Sequence, residues 1–283
     1  MASWQFEAIG TQWQIETPAE LAADCKATIM RRITDFDRTY SRFRPDSLVA
    51  AAAKRAGTYV FPPDALPLFR LYQQLYVATN GEVTPLVGGM LEQAGYAADY
   101  SLEQKAPPQS PPKLEQVVAF NGVEVTLQQP AVLDFGAAGK GYLADLVGEA
   151  LCAEGISSYV IDASGDIVIS GDAERIGLEH PKKPGEVIGV AEVANGSICG
   201  SAINRRAWGD GLHHIMSPSR QAPANEVLAT WVVAASGLLA DGLATALFFV
   251  GPHTLHKHFD FTFVRILHNG SIEYSPNFKG ELF

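Results

Sequence analysis

Asp134, Lys140, Asp241 and Thr245 are the residues whose types and spacing could do chemistry together. Asp134 leads into Phe135-Gly136-Ala137-Ala138-Gly139, a small-residue turn that opens directly into a helical pattern carrying Lys140. Such a turn lets a ligand or ion approach bare backbone, and a helix N-terminus favours anions. Ala240-Asp241-Gly242-Leu243-Ala244-Thr245-Ala246 sets a carboxylate and a hydroxyl four residues apart, on one helical face. That pair of hard oxygens suits magnesium or calcium. A second assignment stands beside it: an Asp near a helix start favoured by the dipole, and a Thr bonding back to its i−4 carbonyl. Lys140 likewise reads either as a phosphate or ribose contact or as a solvated lysine beside an exposed turn. Together the segments imply a site for a phosphate-bearing ligand with a divalent cation.

His213-His214 precedes Ile215-Met216-Ser217-Pro218. Adjacent strand residues point to opposite faces, so at most one of the two histidines faces a site. His214 suits a general base at neutral pH, or else is a satisfied structural histidine. No GxSxG, HExxH or zinc-ligand array occurs, so hydrolytic triads and zinc chemistry have no support. Cys25, Cys152 and Cys199 are odd in number and widely spaced, which excludes a disulfide framework and implies buried reduced thiols, Cys152 among them on the apolar face of its helix.

The elements that must position these residues follow from periodicity. Trp4 to Thr17 alternates as a strand interrupted at Ile9-Gly10-Thr11. Residues 18–33 are predicted helical, and the polar-aromatic run 34–49 a loop with a short turn. Leu68, Leu71, Tyr72, Leu75 and Tyr76 mark a helix over 64–79, ended by Asn80-Gly81. Residues 97–113 hold four prolines and read as a loop. Val117–Phe120, Asn121-Gly122 and Val123–Leu127 form a hairpin signal. The helix after Gly139 shows one face, Leu143, Leu146, Val147, Ala150 and Leu151, and Gly155 closes it. Strands follow at 159–161, 167–169, 185–193 and 227–234, then a helix from about 237 to 249 and a strand at 261–267. Strands and helices mix without steady alternation, which implies an α+β fold. The 283 residues carry a net charge of −10, which argues against nucleic-acid binding and an anionic membrane surface. Val227 to Gly251 is long and apolar, but Ser236, Gly237, Asp241 and Gly242 interrupt it, so a buried strand and helix are expected rather than stable membrane insertion. The N-terminus shows no basic and apolar leader pattern, so the chain as given reads as cytoplasmic, or periplasmic if a leader was removed.

These segments, taken in order from near Phe6 to about Gly251, resemble the ApbE family, the FAD:protein FMN transferases. Ala8-Ile9-Gly10-Thr11 is similar to the family's opening Met-Gly-Thr, with Ile9 in place of Met. Tyr40 to Ser47 resembles its Ser-x-Tyr-x-x-x-Ser segment, and Gly81 to Gly88 its Asp-Pro-Thr-Val-Gly segment, with Thr84 at the Asp position. Asp134 to Asp145 resembles Asp-x-x-x-x-x-Lys-Gly-x-x-x-Asp. Ser164-Gly165-Asp166 stands for Gly-Gly-Asp, His214–Pro218 for His-Ile-Ile-Asp-Pro, and Asp241 to Thr245 for Asp-x-x-x-Thr. The departures gather around the implied base. Ser217 replaces an Asp, Cys199-Gly200-Ser201 stands where the family has Thr-Ser-Gly, and Ser219-Arg220-Gln221 replaces the following turn.

The resemblance implies one ApbE-like domain over residues 1–283, two-lobed, with mixed or antiparallel sheets and a ligand cleft between the lobes. It implies that FAD contacts Ile9, Gly10, Thr11, Phe43, Glu82, Val83, Thr84, Asp134, Lys140 and Met216. Magnesium would lie at the pyrophosphate, held by Asp241, Thr245 and backbone oxygen at Ala137 and Ala244. His214 or a nearby carboxylate would be the base. The implied reaction moves FMN from FAD to a Thr or Ser hydroxyl of a flavin-acceptor protein and releases AMP. Two other readings use the same pocket: an FAD pyrophosphatase yielding FMN and AMP, and a flavin-binding protein without catalysis.

Overall fold

The computed structural model describes residues 1–283. The N-terminal alternation is two strands rather than one interrupted strand: Ala2–Ala8 (β1) and Thr11–Thr17 (β2) pair antiparallel, with Ala8 opposite Thr11. Ile9 and Gly10 make the turn at φ 45° and 71°. Two positive φ values suit the right-handed twist of a tight hairpin. Glycine adopts them freely, whereas a β-branched residue there is an outlier.

Helix α1 runs from Ala23 to Tyr40, so it starts later and ends later than its sequence pattern predicts. The segment expected to be a loop after Ile33 is helical as far as Tyr40. Phe36 and Tyr40 extend the buried stripe of Cys25, Ile29 and Ile33 by two more turns, and the polar residues between them face outward. Helix α2 (Ala65–Ala78) buries Leu68, Phe69, Leu71, Tyr72 and Leu75, and Asn80 and Gly81 leave it at positive φ as expected. A small antiparallel sheet joins Gly57–Val60, Glu124–Leu127 and Val118–Asn121. The Asn-Gly hairpin is present, but its turn sits one residue later, on Gly122 and Val123.

Helix α3 spans Gly139–Ala153. Leu151 takes its last buried seat, and Cys152, one position on, is exposed, contrary to the sequence expectation; Cys25 and Cys199 are buried. Then come β3 (Tyr159–Asp162), β4 (Asp166–Ser170), β5 (Glu174–Glu179), β6 (Val187–Val193), β7 (Gly196–Ala202) and β8 (Val227–Ala234). Helix α4 (Gly237–Ala246) is followed by β9 (Thr262–Leu267), β10 (Ile272–Tyr274) and β11 (Gly280–Leu282).

The main sheet has the order β1-β2-β3-β4-β7-β8-β9-β10, and a second sheet the order β11-β6-β5. Every pairing is antiparallel, so no mixed sheet occurs. This is the α+β class. Buried apolar residues separate into a cluster of 49 that holds the helices and a cluster of 10 under β5 and β6, so the helical face carries most of the burial. No helix is long and apolar enough to cross a membrane.

Helices α3 and α4 meet backbone to backbone. A Cβ on Gly141 would lie 2.2 Å from the Gly237 carbonyl oxygen, and a Cβ on Gly237 would lie 2.3 Å from that of Gly141. No side chain fits there. Gly141→Ala will therefore lower stability by roughly 1–3 kcal/mol or more through overpacking, read as a shifted urea midpoint. Gly139→Ala, whose added methyl meets nothing nearer than Phe36 at 3.9 Å, will keep the wild-type midpoint.

Candidate functional site

The two helices exchange caps. Ala138 offers α3 no side-chain cap, and the Asp241 carboxylate of α4 accepts from Gly141 N at 2.9 Å instead. In return Asp145 of α3 accepts from Gly237 N at 2.7 Å and Leu238 N at 2.8 Å, while Ser236 takes Leu239 N at 3.2 Å. The opening amides of α4 are thus satisfied, which fixes the helix end against its neighbour. Burial pushes the Asp145 carboxyl up to about 6, although both amide bonds oppose the shift.

Lys140, on the first turn of α3, reaches the β3–β4 turn. Its Nζ lies 2.5 Å from Asp166 Oδ2 and donates to the Ala163 carbonyl at 2.8 Å. Burial pulls its value down, but the nearby carboxylates of Asp166 and Asp241 outweigh that and raise it, so the ammonium stays charged. Asp241 is pushed well above the usual carboxylate range by burial and then by Asp166. Asp166 Oδ1 is buried and has no hydrogen-bond partner. Two buried carboxylates therefore share one ammonium. Beside them the Thr245 hydroxyl donates to the Ala137 carbonyl at 3.3 Å.

A cleft of about 760 Å³ opens over this group. Ile9, Gly10, Thr11, Phe43, Glu82, Val83, Thr84, Asp134, Ala137, Lys140, His214, Met216, Asp241 and Thr245 all line it. Asp241 and Thr245 share one helical face, as their spacing predicts. Ala244 does not join them. It lies on the sheet side of α4, fully buried, and its carbonyl oxygen accepts from Thr230 Oγ1 at 2.7 Å. Asp134 is held by two contacts, Gly136 N at 2.7 Å and Arg42 Nε at 2.5 Å. Glu82 accepts from Ser217 Oγ at 2.8 Å and also from Ser219 Oγ. Thr84 Oγ1 accepts from Leu86 N at 3.2 Å and caps a short 3₁₀ turn.

The two histidines divide as expected. His213 is buried away from the cleft, with Nε2 3.2 Å from Asn225 Oδ1. His214 faces the cleft, its backbone amide donating to the Arg206 carbonyl at 3.2 Å and its Nδ1 without a partner. Burial, then the charge of Arg206, pulls its imidazole down to about 4, so it is neutral at neutral pH and free to accept a proton.

Of one wall of the cleft, sequence reasoning found only Phe43. The buried Arg42 guanidinium lies 4.2 Å from the Phe43 ring centre and 4.9 Å from that of Tyr96, and Arg206 lies 5.6 Å from Tyr96. Tyr100 stacks on Phe43 at 5.2 Å. Arg42 stands in a run with Arg38 and Arg44, and no periodicity there distinguishes the inward one.

The donor set fits a hard cation. The Asp241 carboxyl, the Thr245 hydroxyl and the Ala137 carbonyl bring hard oxygens together, with no sulfur or imidazole among them, and a bound cation would displace the proton that burial holds on Asp241. No group of three or more His, Cys, Asp or Glu side chains forms a metal cluster anywhere in the chain, so backbone and hydroxyl oxygens would have to complete any such site.

The model of the ApbE family matches residues 9–261. The chain belongs to the ApbE family. Among family members, it is 28% identical to the FAD:protein FMN transferase of Rhodobacter capsulatus over 98% of its own length, and it spans 57% of that relative's length. It is 23% identical to the FAD:protein FMN transferase of Klebsiella pneumoniae over 87% of its length and 77% of the relative's. Among solved structures, the flavin transferase ApbE from Vibrio cholerae superposes with a TM-score of 0.80 at 20% identity over 97% of both chains. The ApbE protein of Thermotoga maritima gives 0.82 at 21% identity, again over 97% of both. These likenesses establish the ApbE fold for the chain.

The raised Asp145 carboxyl has a consequence for stability. Its folded value of about 6 lies above the unfolded value of ~4, so the folded state takes up the proton first. Its contribution to stability therefore rises as pH falls from about 6 toward 4, opposite to an ion-paired carboxylate. Asp145→Asn will abolish that rise and cost roughly 1 kcal/mol of helix capping at neutral pH. Paired urea titrations of the two proteins across this window check both.

Proposed function

We propose that this chain transfers FMN from FAD to a Thr or Ser hydroxyl of an acceptor protein, releases AMP, and requires magnesium. The observation that carries the reading is the hard-oxygen set of the Asp241 carboxyl, the Thr245 hydroxyl and the Ala137 carbonyl, gathered at the N-terminus of α3 beside Lys140 and Asp166. The names of the family relatives support it. Asp241, Thr245 and the Ala137 carbonyl would hold the cation, which when bound neutralises the charge that two linked phosphates bring into an acidic protein. Ala244 is left out of this set because Thr230 holds its carbonyl.

The chain's own residues supply the rest. The acceptor hydroxyl oxygen bonds to the FMN phosphorus, the bond from that phosphorus to the oxygen bridging to AMP breaks, and AMP departs with that oxygen. His214 takes the hydroxyl proton on the face of its imidazole that lines the cleft, its Nδ1 being buried. The wall of Arg42, Phe43, Tyr96 and Tyr100 suits a flat ring system by stacking and cation–π contact. The Ile9-Gly10 turn, the Glu82–Thr84 turn, Asp134 and Met216 would border the bound FAD.

The test is incubation of the purified protein with FAD, magnesium and threonine-bearing peptides, read by mass spectrometry. A peptide that gains one FMN as AMP appears is the expected result. Asp241→Asn, which keeps an acceptor for Gly141 N, will reduce the rate roughly 100-fold or more, and His214→Asn by a similar factor through kcat. Free FMN and AMP with no labelled peptide would make water the nucleophile and replace transfer by hydrolysis. Full activity of Asp241→Asn would remove the cation assignment.

A further inference from the structure

A second hollow of about 480 Å³ lies beside the flavin cleft and continues into it. Ser164, Gly200, Ser201, Ala202 and Arg205 line both. Four of these five are small, so no bulky side chain stands in the passage. The floor of the hollow is Trp231, whose indole lies over Gly200; a Cβ there would be 3.1 Å from the ring. One wall is β5, the outer strand of the sheet β11-β6-β5. Arg175, Ile176, Gly177 and Glu179 all line the hollow. Successive strand residues point to opposite faces, so a hollow lined by three in a row runs along the strand's edge. That edge pairs with no other strand.

An open strand edge is a template for another extended chain. Main-chain hydrogen bonds then supply affinity and flanking pockets supply selectivity. We propose that this groove docks the acceptor polypeptide, which adds to β5 as an extended segment and passes a small hydroxyl-bearing residue over Gly200 and Ser201 into the flavin cleft. The inference rests on the transferase reading and assigns the place where the second substrate binds. Small side chains line the passage and leave it open to a Ser or Thr side chain. The ion pair of Arg205 and Glu179, 2.5 Å apart and half exposed, spans from the passage to β5 and can open without unpacking a core.

Asn204 and Arg175 are exposed groove residues that do not line the flavin cleft. Asn204→Trp fills the groove, and Arg175→Glu reverses charge along β5. The probe is a pooled library of synthetic peptides, each with one central threonine and randomised flanks, labelled with FMN from FAD and magnesium. Wild-type protein will label a subset of the pool. For a peptide recovered from that subset, each variant will raise KM by about tenfold or more, with FAD affinity unchanged. The recovered peptide will also slow amide hydrogen exchange over Glu174–Glu179. Labelling by both variants at wild-type KM, or no added protection of β5, would overturn the docking site while leaving the transferase reading intact. A wild-type protein that cleaves FAD yet labels nothing in the pool would overturn the transferase reading, and the docking site with it.

Discussion

The contact of Gly141 with Gly237 sets the position of nearly everything that faces the cleft. Two helices can approach this closely only where neither carries a side chain, and each then lends the other a carboxylate: Asp241 to the start of α3, Asp145 to the start of α4. The exchange places the turn Gly136–Ala138 beside Asp241 and Thr245, so the small-residue turn and the hard oxygens become one site. Lys140 then extends from the same helix to Asp166 and ties the β3–β4 turn to it. A wider crossing would part these groups and leave buried amides without acceptors, a heavier loss than the packing alone.

The charge arrangement follows from that geometry. Packing Asp166, Asp241 and Lys140 together under the cleft costs desolvation that a single ammonium offsets only in part. Burial holds a proton on Asp241, and a cation that displaces it meets a carboxylate in low dielectric surroundings, a far stronger attraction than the dispersed charge of −10 could offer. Elsewhere along the lining, Arg42, paired with Asp134, and Arg206 lie over aromatic rings.

The site was legible in the sequence to the extent that its residues sit in local motifs. Asp241 and Thr245 could be placed on one face from spacing alone, whereas alternation says only that His213 and His214 point apart, and the family resemblance singles out His214. Ala244 shows the limit of such reasoning: its number adjoins the site, but it lies about 100° around the helix from Thr245 and meets Thr230 on a strand no local pattern points to. Arg42 and Tyr96 were unreadable for the same reason, because their partners, Asp134 and Trp208, come from distant segments. In the fold, the Ile9-Gly10 turn reads in the sequence as a break in one strand, since an Ile at positive φ is the last residue a turn rule would choose. The pattern of α1 stops short in the sequence because its polar residues outnumber Phe36 and Tyr40, and burial of those two rings decides the matter.

The exchanged caps join residues that are far apart in the chain: Gly141 and Asp241 are 100 positions apart, Asp145 and Gly237 are 92. Neither helix start is complete until the other has arrived. Closing so long a loop is slow, and its entropy must be overcome before the contact returns anything. During synthesis α3 therefore emerges with its first turn uncapped and waits for most of the remaining chain. The cleft has no early, half-built form: any chain that ends before α4 lacks the Asp241 and Thr245 side of it, and its completion is a single late event.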